Sequence, residues 1–487
     1  MTSKEQGETA DTRALSRLGY AEELLRAMGG FSTFALSFSV ISVLTGVVTT
    51  YGVAIAAGGP AGLGIGWPLV SLGTLVVALA MGELASAFPT AGALYHWSAI
   101  LGGPGLGWFT AMMNLVGQCA IVAAVDLGCA HTLVVTLRLP PPSELPVLGV
   151  ILASHGALNV LSVRLVAWAN DFSATVHILG VLVLVGLLFA FGRAHPVGYL
   201  MQTGSTTRPD GSYGLGFANA LLLGVWTFTG FDASAHVSEE TRDPARRAPW
   251  AIFFAVLVSA VAGYALVCAL TLAIPSLDAV VKEDAPPLFI LRSALGDRLG
   301  SATMGLAITA MWFCGLSSVT SASRTLFAFS RDGGLPFSHV FRRVSPSLKT
   351  PHVAIVTAVV LPMALVLCTS RLSESVFLAV ASLATTALYV SYATPIFLGA
   401  IARHTNRWSC LGPWNLGRFG LATAWGAVLW TVAVLVVCAL PPNQTAGYLL
   451  AAVVAVLAAV YVFGVRGRFR GPPISLADMQ RAAHEKA

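Results

Sequence analysis

The sequence predicts an all-α integral membrane protein with about twelve transmembrane helices. Three observations carry this reading. Only 10% of the residues are charged and 56% are hydrophobic, against roughly 25% charged in a soluble domain. So little charge cannot clothe a surface in water, so most of the surface must face lipid. The apolar residues come in runs close to the ~20 residues that cross a ~30 Å hydrocarbon core. The basic residues sit in the breaks between those runs, and they are biased to one side.

The runs fall near 29–56, 66–87, 103–134, 146–163, 171–192, 216–237, 250–274, 300–325, 352–370, 375–400, 420–440 and 445–465. Of the 28 Lys and Arg, 21 lie in the terminal segments, in the even-numbered connections or at the span ends beside them. The other 7 (Arg138, Arg193, Arg208, Lys282, Arg292, Arg298 and Arg371) lie in the odd-numbered connections. The positive-inside rule then places both termini in the cytoplasm, which requires an even number of spans. The stretch Met1 to Gly19 is polar and lacks the apolar core and cleavage site of a signal peptide, so the first span is expected to act as its own insertion signal. The expected organisation is a cytoplasmic segment at 1–28, one twelve-helix domain at 29–466 and a cytoplasmic tail at 467–487, in the plasma membrane.

Several function classes are disfavoured. The net charge of +6 does not point to nucleic acid, because the basic residues are scattered through short loops. The seven cysteines form no C-x-x-C pair, so neither a disulfide framework nor a zinc site is indicated. No H-E-x-x-H, G-x-S-x-G or Walker A sequence is present, which argues against an enzyme and against built-in ATP drive. No cofactor is expected. The oligomeric state is left open.

Two spans carry most of the remaining information. The first reads Ser39-Val40-Ile41-Ser42-Val43-Leu44-Thr45-Gly46-Val47, and the sixth reads Gly224-Val225-Trp226-Thr227-Phe228-Thr229-Gly230-Phe231-Asp232. Each places Thr-Gly near mid-membrane. Glycine is a poor helix former, and threonine bonds back to carbonyls. A helix that unwinds there frees N–H and C=O groups at membrane depth, where only buried protein or a wet cavity tolerates them. A single Thr-Gly also suits plain helix packing. Two of them in the first helices of two five-helix halves are the sequence pointer to a midplane solute site. A channel would more often show a pore ring built by oligomerisation.

Further residues resemble a known family. These are Gly19-Tyr20-Ala21-Glu22-Glu23-Leu24 with Phe31-Ser32-Thr33-Phe34-Ala35-Leu36-Ser37-Phe38-Ser39, and Gly58-Gly59-Pro60 with Gly66-Trp67-Pro68. Glu83 with Phe88-Pro89-Thr90-Ala91-Gly92-Ala93-Leu94-Tyr95-His96-Trp97 follows, then Gly230-Phe231-Asp232-Ala233-Ser234-Ala235-His236-Val237-Ser238-Glu239-Glu240-Thr241. As an ordered set, over about residues 18 to 465, they resemble the amino acid/choline transporter family. That family includes GABA and choline permeases and lies within the amino acid–polyamine–organocation superfamily. The resemblance implies the five-plus-five inverted repeat of the leucine-transporter type, broken helices 1 and 6, and alternating access. It implies a permease for amino acids or related amines such as GABA or choline, driven by protons. Exchange of two related solutes and sodium-coupled symport are the alternatives.

The resemblance also assigns residues. Ser42, Val43, Leu44, Thr45 and Gly46, with Thr229, Gly230 and Asp232, would line the substrate site through backbone groups. Trp226 and Phe228 would cap it, since aromatic faces attract cationic amines; they also suit ordinary packing. Gln118 would bond either substrate or another helix. An ionised Asp232 near mid-helix costs about 2.5–3.5 kcal/mol to insert, and relatives carry an acid here with a proposed proton-sensing role. His177 falls where proton-coupled relatives carry a lysine against the broken first helix. Histidine is shorter and less basic, and its ordinary pKa of about 6.5 lets small shifts move it across physiological pH. Ser317, Ser318 and Ser321 would supply hydroxyls to a sodium ion in the alternative reading. Glu239 and Glu240, with Arg242, Arg246 and Arg247, are read either as a charge-pair gate or as a solvated helix end. The stretch 89–101 resembles an amphipathic loop helix with an interfacial Tyr95 and Trp97.

Overall fold

The computed structural model describes residues 10–203, 213–371, 375–441, 443–476 and 478. Among them, eleven helices are long and apolar enough to span a membrane, and the interrupted segment around Tyr213–Thr227 supplies a twelfth. In chain order these are α1 (Gly30–Gly64), α2 (Gly66–Ala87), α3 (Pro104–Leu137), α4 (Glu144–Leu161) and α5 (Val163–Phe191). Then come α6 (Tyr213–Thr227 and Ala233–His236), α7 (Pro244–Leu272), α8 (Asp297–Arg331), α9 (His352–Thr369) and α10 (Val376–His404). The last two are α11 (Gly420–Ala439) and α12 (Gln444–Val460). No β-strand occurs among the described residues; the single bridge joins Met28 and Thr241. Arg208, in the loop after α5, lies outside the described residues, as do Lys4, Arg481 and Lys486.

The helices form the five-plus-five inverted repeat. α1 packs on α6, α2 on α7, α3 on α8 and α4 on α9, so four helices of the first half meet their counterparts in the second. α1, α2 and α3 are the most buried spans, and α12 is almost wholly exposed to the surroundings. This ranking follows the composition, since an apolar helix with no polar face sits comfortably against lipid.

α5 begins at Val163, eight residues before the sequence reading placed it. Asn170 and Asp171 looked like a boundary. Each instead finds one partner on another helix: Ser317 donates to Asn170 Oδ1 at 2.7 Å and Ser32 to Asp171 Oδ2 at 3.1 Å. The loop helix is present as Leu94–Gly102, but the Tyr95 and Trp97 rings are buried within the protein rather than on its surface. Tyr95 packs edge-on to Phe329 and tilted against Phe469, and Trp97 donates to the Phe88 carbonyl at 3.0 Å. The terminal segments make that burial possible, because Leu15, Leu18, Tyr20 and Ile474 close over the same face.

Candidate functional site

The first break is a single residue. Ser42 takes φ 34° and ψ 83°, separating Gly30–Ile41 from Val43–Gly64. A non-glycine residue in the left-handed region costs free energy, so its neighbours must over-determine it. They do. Ser42 N–H donates to Phe38 O at 3.1 Å, and Ser42 Oγ accepts from Thr45 N–H at 3.3 Å as the cap of the second half. Ser42 Oγ also lies 2.7 Å from His177 Nε2 of α5 and 2.5 Å from Thr45 Oγ1. His177 is itself oriented by Ser173, whose carbonyl is 2.8 Å from Nδ1. Ser39 and Ser173 share a 2.7 Å hydroxyl contact, and Cys314 donates to the Val40 carbonyl at 3.1 Å.

The second break is longer. α6 stops at Thr227 and restarts at Ala233. Gly230 takes φ +84°, and a Cβ there would stand 2.3 Å from Val40 Cγ1. Glycine is required on both counts. Ser37 of α1 stitches this break: its hydroxyl donates to Phe231 O at 2.8 Å and accepts from Ser234 N–H at 2.9 Å. Gly230 N–H donates to Tyr392 Oη at 3.0 Å, and Tyr392 donates to Asp232 Oδ1 at 2.7 Å. Asp232 Oδ2 meets His236 Nε2 at 2.9 Å, and His236 Nδ1 meets Thr325 Oγ1 at 2.9 Å. Gln118 donates to Ser321 Oγ at 3.0 Å one turn away.

The two breaks therefore lie side by side, each tied to a titratable side chain. Thr45, Gly46, Thr229, Gly230 and Asp232 are all buried between the helices. Val43 and Leu44 are buried too, with Leu44 Cδ1 against the position a Cβ on Gly180 would take. Gly46 is where α1 and α6 come closest, for a Cβ there would be 2.1 Å from Thr227 Oγ1. The aromatic pair diverges. Trp226 reaches Thr49 Oγ1 at 3.3 Å, whereas Phe228 packs on Trp67 of α2 at 5.2 Å between ring centroids. The serines of α8 are committed: Ser317 to Asn170, Ser318 to Cys314 O, and Ser321 to Gln118.

Access to this centre is asymmetric. From the face opposite the termini, a cavity of about 570 Å³ descends between α1, α3, α4 and α10. It ends at Thr49 and Phe377. Trp226, edge-on to Phe377 at 6.1 Å, forms the layer beneath. The face that carries the termini is shut. Glu240 pairs with Arg324 at 2.8 Å, and Glu239 takes Arg331 in a two-pronged contact at 2.8 and 2.7 Å. These partners come from the end of α8, not from Arg242, Arg246 or Arg247. The Arg331 guanidinium also lies 4.0 Å from the Tyr20 ring centroid. Asp332 accepts from Tyr20, Tyr95 and His96 at 2.7, 2.9 and 3.0 Å. Burial works against the charge of Asp332, but the His96 and Tyr20 hydrogen bonds and the nearby Arg331 outweigh it and hold its pKa below the usual carboxylate value. Glu239 is likewise held low: Arg331 and the Ala91 N–H overcome its burial.

Sequence reasoning missed Tyr392, Thr325, Ser37 and Cys314, because each reaches the breaks only through the packing of another helix. His236 carried a usable signal, since it stands four residues after Asp232 on one helical face.

The family profile described as "Amino acid permease" matches residues 28–463. Amino-acid permease BAT1 of Arabidopsis thaliana is 36% identical over 94% of this chain and 95% of its own length. The BAT1 homolog of Oryza sativa subsp. japonica is 36% identical over 89% of this chain and 88% of its own. The GABA-specific permease of Saccharomyces cerevisiae is 28% identical, covering 89% and 79%. With two broken helices meeting at the midplane, a cavity on one face and a latch on the other, the chain belongs to the amino acid permease family: it is a multi-pass membrane transporter of amino acids.

Proposed function

We propose that the protein is a proton-coupled symporter of amino acids and related amines such as GABA, working in the plasma membrane with both termini in the cytoplasm. The observation that carries the coupling is the 2.7 Å contact between His177 Nε2 and Ser42 Oγ. A titratable imidazole stands against the one residue whose strained backbone divides α1. Protonation of His177 would place a cation beside the freed carbonyls of the break, and deprotonation would remove it. The Asp232–His236 pair adds a second proton holder on the other break. The basic residues concentrated beside the termini support the cytoplasmic assignment.

In this reading the substrate carboxylate and amine meet backbone groups at 42–46 and 229–232, with Gln118 alongside. The GABA-specific permease among the relatives supports an amine-bearing substrate. One charge moving down 100 mV supplies about 2.3 kcal/mol, enough for roughly a 50-fold gradient.

The test is uptake into liposomes of labelled GABA, choline, arginine, putrescine and neutral amino acids. Each is offered with an inward proton gradient, an inward sodium gradient, or internal unlabelled substrate alone. Proton-driven uptake of one solute, lost in His177→Ala, supports the proposal. Uptake only against internal substrate makes the protein an exchanger, and uptake only with sodium moves the ion to the α8 serines.

A further inference from the structure

A second titratable pair lies outside both breaks. Asp126 of α3 and His155 of α4 are both fully buried, with Oδ2 and Nδ1 3.2 Å apart. Asp126 Oδ1 and His155 Nε2 have no hydrogen-bond partner among the described residues. Trp312 of α8 covers the imidazole at 5.0 Å between ring centroids. Gly315 of α8 makes room for the pair, since a Cβ there would stand 1.8 Å from Asp126 Oδ1 and 2.6 Å from His155 Cε1.

The charge balance of this pocket is incomplete. If Asp126 is ionised and His155 neutral, the Nδ1–H···Oδ2 bond holds but a net negative charge is buried, which is strongly disfavoured. One added proton, on His155 Nε2 or on Asp126, brings the pair to zero net charge. Little else compensates. The nearest other titratable groups are the thiols of Cys129 and Cys314. Along the same helices, His131 and Glu144 pair with each other toward the cavity mouth, and Arg324 is held by Glu240 and Asn159 toward the termini. α1 offers only Tyr51, which bonds Thr271, and α5 offers His177, which bonds Ser42. α9 carries His352 and Cys368 at its ends, and α10 carries Tyr389 and Tyr392, the latter on Asp232.

The pair is also placed to communicate. Leu127 and Gly128, next to Asp126 in the chain, line the cavity. Cys314, next to Gly315, donates to the Val40 carbonyl at the α1 break. We infer that Asp126 and His155 form a further proton-binding site, loaded from the cavity and felt at the α1 break through Gly315 and Cys314. This inference deepens the proton-coupled reading and rests on it for its role in transport, but not for the binding of the proton itself.

The experiment has two readouts on wild type, Asp126→Asn and His155→Gln. One is the infrared difference spectrum of the purified protein between about pH 5 and 8, the range of histidine titration. The other is proton-driven accumulation in liposomes alongside exchange against internal substrate. The expected result is a carboxyl or imidazolium change in the wild type that both variants lose. Accumulation falls from as much as about 50-fold at 100 mV to near unity, while exchange persists. Difference spectra that survive in a folded variant, with accumulation intact, overturn the proton site but leave the symport reading standing. Variant-sensitive spectra with no proton-driven accumulation in the wild type leave the site standing and remove the symport reading. A wild-type spectrum with no such change overturns the site without recourse to any variant.

Discussion

Glu240→Gln tests the latch on the termini face most directly. Arg324 is fully buried and Glu240 is 1% exposed, at 2.8 Å. The substitution keeps the volume and one acceptor oxygen but removes the negative charge. No other anion is free to replace it, because Glu239 is committed to Arg331. The remaining contacts of Arg324 are Asn159 Oδ1 at 3.4 Å and Ser323 Oγ at 3.1 Å, and Nη2 has no partner among the described residues. Removing one partner of a buried pair costs about 3–5 kcal/mol. The retained acceptor puts this case near the lower figure, about 150-fold in an equilibrium. The cost falls only on conformations in which the pair is buried, since opening the termini face rehydrates Arg324. The equilibrium should therefore move by about that factor toward the open form. The assay is alkylation of Ser238→Cys, buried here, by a charged maleimide from the termini side, in a background lacking Cys119, Cys368 and Cys410. Replacing both partners with apolar residues (Arg324→Met with Glu240→Leu) is expected to return labelling to within about tenfold of the parent, because a well-packed apolar pair is often neutral. A Glu240→Gln protein that labels no faster, or a double variant that labels as fast as the single, refutes the reasoning.

Two further outcomes follow from the same geometry. Gly46→Ala puts a methyl 2.1 Å from Thr227 Oγ1 and 2.6 Å from its Cβ and Cγ2; overpacking of this kind costs about 1–3 kcal/mol, so uptake should fall about tenfold or more and recover in part when Thr227→Gly is added, as liposome transport would measure. Asp332 and Glu239 have folded-state pKa values below their ordinary ones, so their contribution to closure is complete above the ordinary carboxylate value of about 4 and is lost only as pH falls below it. Taken relative to a free cysteine at each pH, because the thiolate is the reacting form, Ser238→Cys labelling should accordingly stay flat from about pH 5 to 8 in otherwise unaltered protein and be raised across that whole range in Asp332→Asn, whereas a rise in that ratio between pH 5 and 6 in the otherwise unaltered protein would contradict the assignment.

Much of the architecture was legible because a bilayer imposes one-dimensional rules. Apolar length, basic loops and Thr-Gly interruptions are all properties of short stretches of chain. They sufficed for about twelve spans and for the α6 break at Thr229-Gly230, whereas α1 breaks at Ser42, three residues before its Thr45-Gly46, which is helical. His177 was singled out through the family resemblance, and its Nε2 lies 2.7 Å from Ser42 Oγ. What was misread depended on neighbours distant in sequence. The expected start of α5 fell at Asp171, yet Asn170 and Asp171 each accept a hydrogen bond from a serine of another helix. Tyr95 and Trp97 were expected at the interface, yet both rings are buried within the protein. Glu239 and Glu240 looked for local arginines, yet their partners lie more than eighty residues away.

The sequence by itself determined the class of protein, about twelve spans and the place where α6 fails, because hydropathy and backbone propensity are local quantities. Only the tertiary structure decided which side chains answer those failures and which face is open. Tyr392 meets Gly230, Cys314 meets Val40, and Asp126 meets His155 across separate helices. At membrane depth each freed polar group must find a partner inside the protein, and which helix supplies that partner is settled by packing alone.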